Sequence, residues 1–242
     1  MNATISPLRI LHLYPRDMNI YGDYGNILVL KRRAEWHGYK VEVVDYNPGD
    51  AFPENIDIIV GGGGQDSGQD KVQADLQKIG HKLQDLANNQ TPMLVICGLY
   101  QLFGKYFQTH DKRIIKGIGI LDIKTVAESE RLIGNITIHS QQFGNIVGYE
   151  NHSGQTFLGK DAKPLGMVVR GAGNNKKDKS EGACSHNVIG SYLHGSLLPK
   201  NPHIADWLIK QAATKKYGSF ESKNIDDHFT SLAREYAMKR PR

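Results

Sequence analysis

Two continuous apolar runs, each ending at glycine, constrain this chain more than any other feature. Residues 56–60 read IDIIV and stop at four consecutive glycines, Gly61 to Gly64. Residues 92–97 read PMLVIC and stop at Gly98. Runs this short, rich in β-branched residues and flanked by breakers, suit strands buried on both faces. Between them Val72, Leu76, Ile79, Leu83 and Leu86 recur every three or four residues, the pattern of an amphipathic helix whose solvated face carries Lys71, Gln73, Asp75, Lys82 and Asp85. Strand, crossover helix and strand at this spacing imply βαβ units and a parallel sheet.

The same alternation extends in both directions. Residues 9–13 (RILHL) and 40–46 (KVEVVDY) read as strands. They flank a helix from about Asn26 to His37, with Gly38 as its left-handed cap. A further helix is expected from about Leu99 to Phe107. The second half changes character: RLIGNITIHS, QFGNIVGYEN and GQTFLG read as strands joined by tight glycine turns, either antiparallel or a mixed edge to the first sheet. Residues 174–182 (NNKKDKSEG) read as a polar surface loop and 187–195 (NVIGSYLHG) as another strand. Helices are expected from about Pro202 to Tyr217 and from about Ile225 to Met238. The expectation is a three-layer α/β/α sandwich with a largely parallel central sheet and a mixed or antiparallel second half. Residues 1–217 form the domain and residues 218–242 a helical extension.

Composition bears on where the chemistry takes place. The chain has 242 residues with hydrophobic residues at 39% and charged residues at 23%, enough to bury a real core. Cys97 and Cys184 are its two cysteines, too few for a disulfide framework, and no zinc spacing occurs. No stretch has a signal-peptide pattern or approaches the roughly 18 apolar residues of a membrane span. A reducing, cytoplasmic setting is expected, where a thiol stays available as a nucleophile. The net charge of +5 favours acidic partners without identifying them.

Three features carry the chemistry. Cys97 ends an apolar strand and is followed by Gly98 and a helix, a strand–turn–helix junction that exposes a nucleophile at the carboxyl end of a sheet. The competing reading is a buried core cysteine. The four glycines lie one βα unit earlier, so a parallel sheet can set them beside Cys97, where bare backbone can aim an N–H at an oxyanion. They lack the Lys-Ser/Thr of a phosphate loop, and a tight turn alone needs fewer glycines. The thiol also needs a base. His152 (GYENHSG) and His194 (GSYLHGS) both follow strand-like runs, whereas His110, His186, His203 and His228 sit in polar surroundings. The stronger buried strand before His194 favours it, and His152 stays open.

These segments resemble class I, triad-type glutamine amidotransferases, in the cobyric-acid-synthase-like branch that includes the glutaminase subunits of bacterial lipid II isoglutaminyl synthase. The resemblance rests on MNIYGDYGN (18–26), GGGQD (62–66) with Gln69, ICGLYQ (96–101), RLIGNI (131–136), GNIVGYENHSG (144–154) and YLHGSLLPKN (192–201). It implies that Cys97 attacks the side-chain amide of L-glutamine and that His194 is the base and then the acid. By the same resemblance Gly63 and Gly98 supply the oxyanion hole, Gln101 lies in the glutamine-binding stretch and Arg131 holds the α-carboxylate. Many members of the wider superfamily continue His-Pro-Glu, and here His194 is followed by Gly195 and Ser196. The orienting carboxylate is therefore expected from Asp23 or from a partner subunit, the latter preferred.

The resemblance further implies a heterodimer with a MurT-type, Mur-ligase-like synthetase that holds ATP and magnesium, with no metal or cofactor on this chain and no nucleic acid bound. Ammonia would amidate the D-glutamate of lipid II to D-isoglutamine. A corrinoid acid as acceptor, a stand-alone Cys-His amide hydrolase and a non-catalytic module of the same fold are the alternatives.

Overall fold

The structure, a computed structural model, describes residues 6–64 and 66–241, with the backbone alone for 66–70. Gln65, in the glycine-rich motif, and the side chain of Gln69 thus lie outside the described residues.

The first sheet grows outward from its most apolar strands. Strands β1 (Leu8–Leu13), β2 (Val41–Tyr46), β3 (Ile58–Gly61) and β4 (Met93–Ile96) are joined by helices α1 (Tyr24–Trp36) and α2 (Asp66–Asn88). With β11 (Ala183–Ser185) and β12 (Val188–Ser191) they order as β11-β12-β4-β3-β1-β2. All neighbours are parallel except the edge strand β11. Strands β3 and β4 are wholly buried, as their continuous apolar runs require. Helix α2 buries Val72, Leu76, Ile79 and Leu83, each worth about 1.5–3 kcal/mol on burial. Helix α5 (Pro202–Tyr217) packs beside α1 and contributes Ile204, Leu208 and Ile209 to the core.

The second half is a separate sheet of β5 (Tyr106–Gln108), β6 (Ile114–Lys116), β7 (Ile123–Ser140), β8 (Gly144–Leu158), β9 (Gly166–Arg170) and β10 (Ser180–Glu181). Four local expectations need correction. Asp75, expected on the solvated face of α2, is buried and accepts from the Tyr14 and Tyr46 hydroxyls, both at 2.9 Å. Helix α3 (Gly98–Leu102) is short and residues 106–108 are strand β5, because Gly104 is pressed against Ile123, where a Cβ would come within 2.6 Å of its side chain. GQTFLG continues β8 without a turn. Gly154 lies mid-strand because a Cβ there would meet Gln101 Nε2 at 2.5 Å. Residues 174–182 are only partly a surface loop. Asn174, Asn175, Ser180 and Glu181 are buried, and Asn174 Nδ2 donates to Ser180 Oγ and to the Gly182 carbonyl.

The chain ends in α4 (Leu197–Lys200), α5 and α6 (His228–Lys239). Helix α6 lies against α4 and β8 and buries no residue of its own. The buried Arg33 guanidinium ties its approach down, pairing with Asp206 at 2.6 Å and with Asp227 at 2.7 Å. Among the described residues no helix is long and apolar enough to cross a membrane.

Candidate active site

Parallel neighbours β3 and β4 end at the same edge, and the turns that follow them meet there. Cys97 leaves β4 at φ 52° and ψ −105°, the left-handed bend that turns a strand sharply into a helix. Its N–H donates to the Ser191 carbonyl at 2.9 Å, which ties the bend to β12. Gly98 opens α3, so its N–H belongs to the first helical turn and has no intrahelical acceptor.

The glycine run is shaped by close approach. A Cβ on Gly63 would lie 3.0 Å from Cys97 Cβ, 3.4 Å from its Sγ and 3.4 Å from His194 Cε1. One on Gly62 would strike the Met18 carbonyl at 2.5 Å and Asp23 Oδ2 at 2.6 Å. The bare backbone thus admits the nucleophile, the imidazole and the first βα loop to one place. That loop engages both polar groups of Gly63. Ile20 N–H donates to its carbonyl at 3.0 Å, and its own N–H donates to Asp23 Oδ2 at 2.8 Å. In this arrangement the Gly63 N–H therefore faces Asp23 and not an oxyanion.

His194 follows β12 and is held by a two-way backbone bridge to Tyr149, in which its N–H donates at 2.7 Å. It is 1% exposed and Cys97 is 9% exposed. Burial pulls the imidazole down, but the adjacent Cys97 sulfur and the Asp23 carboxylate outweigh it and raise it to about 9. Asp23 Oδ1 stands 3.9 Å from His194 Nδ1. That is an ion-pair separation, too long for a hydrogen bond. Among the described residues neither ring nitrogen nor Asp23 Oδ1 meets hydrogen-bond geometry.

His152, the other candidate base, is engaged elsewhere. Its ring stacks on Tyr192 at 3.6 Å and 5°, and its Nδ1 lies 2.7 Å from the Gly154 carbonyl, to which it donates. Burial lowers it to about 3, so it is neutral. The structure thus brings His194, not His152, to Cys97. Cys184 sits on the edge strand β11, where burial pushes its thiol up to about 12.

The remaining site residues line the same region. Gln101, one turn beyond Cys97, is buried and donates to Tyr192 Oη at 3.1 Å. Arg131 lies in the irregularity of β7 between Ala127 and Leu132, just before regular pairing with β8 resumes at Leu132. Its Nε donates to Asn151 Oδ1 at 2.7 Å and its Nη2 to Tyr21 Oη at 3.1 Å. The Tyr21 ring lies over His194 with centroids 4.2 Å apart. Sequence reasoning missed Tyr21. It lies inside the quoted segment MNIYGDYGN, but no periodicity distinguishes it from Tyr24, which the structure leaves exposed.

The geometry is that of a thiol–imidazole pair beside glycine amides, with a carboxylate 3.9 Å from the imidazole and an arginine bonded to the tyrosine that packs on it. Such a pair can attack an amide carbonyl and protonate the leaving nitrogen. Comparison with known proteins agrees with that chemistry. Residues 9–202 match the CobB/CobQ-like glutamine amidotransferase domain. The chain is 41% identical to the Staphylococcus aureus lipid II isoglutaminyl synthase (glutamine-hydrolyzing) subunit GatD, covering 96% of each chain. It is 43% identical to the Streptococcus pneumoniae subunit of the same name, over 87% of this chain and 82% of that one. A solved glutamine amidotransferase superposes with a TM-score of 0.60 at 12% identity, over 84% of this chain and 98% of that one, a likeness of fold.

Proposed function

This chain belongs to the CobB/CobQ-like glutamine amidotransferase family and within it stands with the GatD subunits, and on that premise we propose that it is the glutamine-hydrolysing subunit of a lipid II isoglutaminyl synthase. The observation that carries the reading is the convergence of Cys97 and His194 on the side-chain-free flank of Gly63. Residues 1–217 constitute the amidotransferase domain and 218–242 the extension.

In the proposed cycle Cys97 gives its proton to His194, and Sγ attacks the side-chain amide carbon of L-glutamine. The oxyanion forms beside Gly98 N–H. Gly63 N–H joins it once Asp23 releases that donor. His194 returns the proton to the nitrogen, the C–N bond breaks, and ammonia leaves a γ-glutamyl thioester. Water, deprotonated by His194, attacks the thioester. Glutamate departs and the thiol is restored. Arg131 holds the α-carboxylate, for which a guanidinium fork is suited, and Gln101 supports the glutamine-binding floor.

Asp23 stabilises the imidazolium electrostatically, but at 3.9 Å it does not orient the ring by a hydrogen bond. An imidazole without that third group is a poorer base. We infer that docking of a MurT-type synthetase, in a cytoplasmic heterodimer, completes the orientation, by closing Asp23 onto Nδ1 or by contributing a carboxylate of its own. Ammonia would then be consumed on the partner, which would hold ATP and magnesium and supply the activation of the D-glutamate carboxylate of lipid II that amidation to D-isoglutamine needs.

The test is co-purification from the native host followed by assay of glutamine-dependent amidation of lipid II. The reading expects amidation that requires both subunits and is lost with Cys97→Ala. Amidation unaffected by Cys97→Ala would refute it. Equal glutamine hydrolysis by the isolated subunit and the complex would refute the proposed role of docking.

A further inference from the structure

Arg131 has its Nε and one Nη2 hydrogen committed, to Asn151 and to Tyr21. Among the described residues its Nη1 has no hydrogen-bond acceptor, so the end-on Nη1/Nη2 fork is open to a carboxylate. Tyr21 Oη accepts from Nη2, which leaves its own proton undirected; no acceptor for it is found among the described residues. The hydroxyl therefore sits beside the fork with a donor to spare. The other end of the same side chain covers His194, with its ring centroid 4.2 Å from the imidazole. The backbone around it is anchored: Ile20 N–H donates to the Gly63 carbonyl at 3.0 Å, and Ser196 Oγ donates to the Gly22 carbonyl at 2.7 Å. Tyr21 thus spans from the arginine to the base, on a loop fastened to both the glycine turn and the segment after His194.

The geometry points to Tyr21 as a positioning residue that donates its hydroxyl to the substrate's α-carboxylate alongside Arg131 and, through its ring, holds and shields His194. This deepens the glutaminase reading and rests on it. A substrate with a free α-carboxylate bridges Arg131 and Tyr21 and keeps the ring seated on the imidazole. An amide without that group leaves the bridge unmade. Selection for free glutamine over side-chain amides within peptides follows, because the peptide-linked residue lacks the carboxylate.

Cys97 alkylation in the full chain, alone and with its synthetase, tests this with two reagents. One is 6-diazo-5-oxo-L-norleucine, which carries the glutamine α-carboxylate; the other is iodoacetamide, which does not. Tyr21→Phe is expected to slow the diazoketone about tenfold, the value of one hydrogen bond to a charged group, and to leave the iodoacetamide rate unchanged. In an Arg131→Gln background, Tyr21→Phe is expected to add little, since both groups serve one carboxylate. Steady-state kinetics of Tyr21→Phe are expected to show a raised KM with kcat retained. An unchanged diazoketone rate, or equal slowing of both reagents, overturns the proposal and leaves the glutaminase reading standing. A wild-type Cys97 that shows no preference for the diazoketone overturns both.

Discussion

The surroundings of His194 and of His152 are two regions that begin alike and end opposed. Both histidines follow strand-like runs, and they are 1% and 3% exposed. Both lose solvation by that burial, which by itself drives an imidazole toward the neutral form. Around His152 the ring stacks on Tyr192 and meets backbone groups of Gly154 and Gly173, while the positive charges of His194 and Arg131 add to the effect of burial, and the ring is held near 3. Around His194 the neighbours are a thiol and a carboxylate, and the ring is raised to about 9. Burial does not decide what a histidine does; the sign of the charge placed beside it does.

The largest break in this comparison is chemical. Cys97→Ala and His194→Ala are each expected to lower glutamine hydrolysis by about three orders of magnitude or more, read as glutamate release by the complex. His152→Ala is expected to act mainly on stability, costing about 2–4 kcal/mol for the lost buried ring, read by denaturant unfolding, with turnover far less affected. Equal losses of turnover at His152 and His194 would erase the distinction. Arg131→Gln is expected to raise KM for glutamine roughly 10- to 100-fold through loss of a charged hydrogen-bond pair, with a smaller change in kcat.

Titration sharpens the same contrast. The His194 imidazole should titrate near 9 by NMR and fall in Cys97→Ala, since the sulfur is the largest influence raising it. The two histidines also contribute to stability with opposite sign. The raised His194 contributes fully below its unfolded value of about 6.5 and loses that contribution as pH climbs through about 9. The lowered His152 contributes above about 6.5 and loses its contribution as pH falls toward about 3. In unfolding measurements at alkaline pH, the wild type should lose stability that His194→Ala does not.

Much of the parallel half was legible because its signal is local. Apolar runs such as IIV and MLVI admit one reading when glycine stops them, and the spacing of Val72 to Leu86 admits one helix face. The second sheet was less legible. Gly154 looks like a turn in sequence, yet it lies mid-strand because Gln101, a residue 53 positions earlier, needs the space of its side chain. Asn174 and Glu181 look solvent-facing in the sequence, yet they are buried on partners that only the tertiary fold supplies. Cys97 and the glycine run could be singled out from their junctions, whereas the choice between His152 and His194 by pattern alone rested on strand strength. The engagement of Gly63 N–H by Asp23 had no sequence signal, since it joins two loops 40 residues apart.

The most direct test is to mix the complex with glutamine, quench rapidly in acid, and locate the acyl group by tandem mass spectrometry. A γ-glutamyl thioester on Cys97 is expected, accumulating when the hydrolytic step is slowed. Glutamate released with no adduct on that sulfur, or with the acyl group on Cys184, would contradict it.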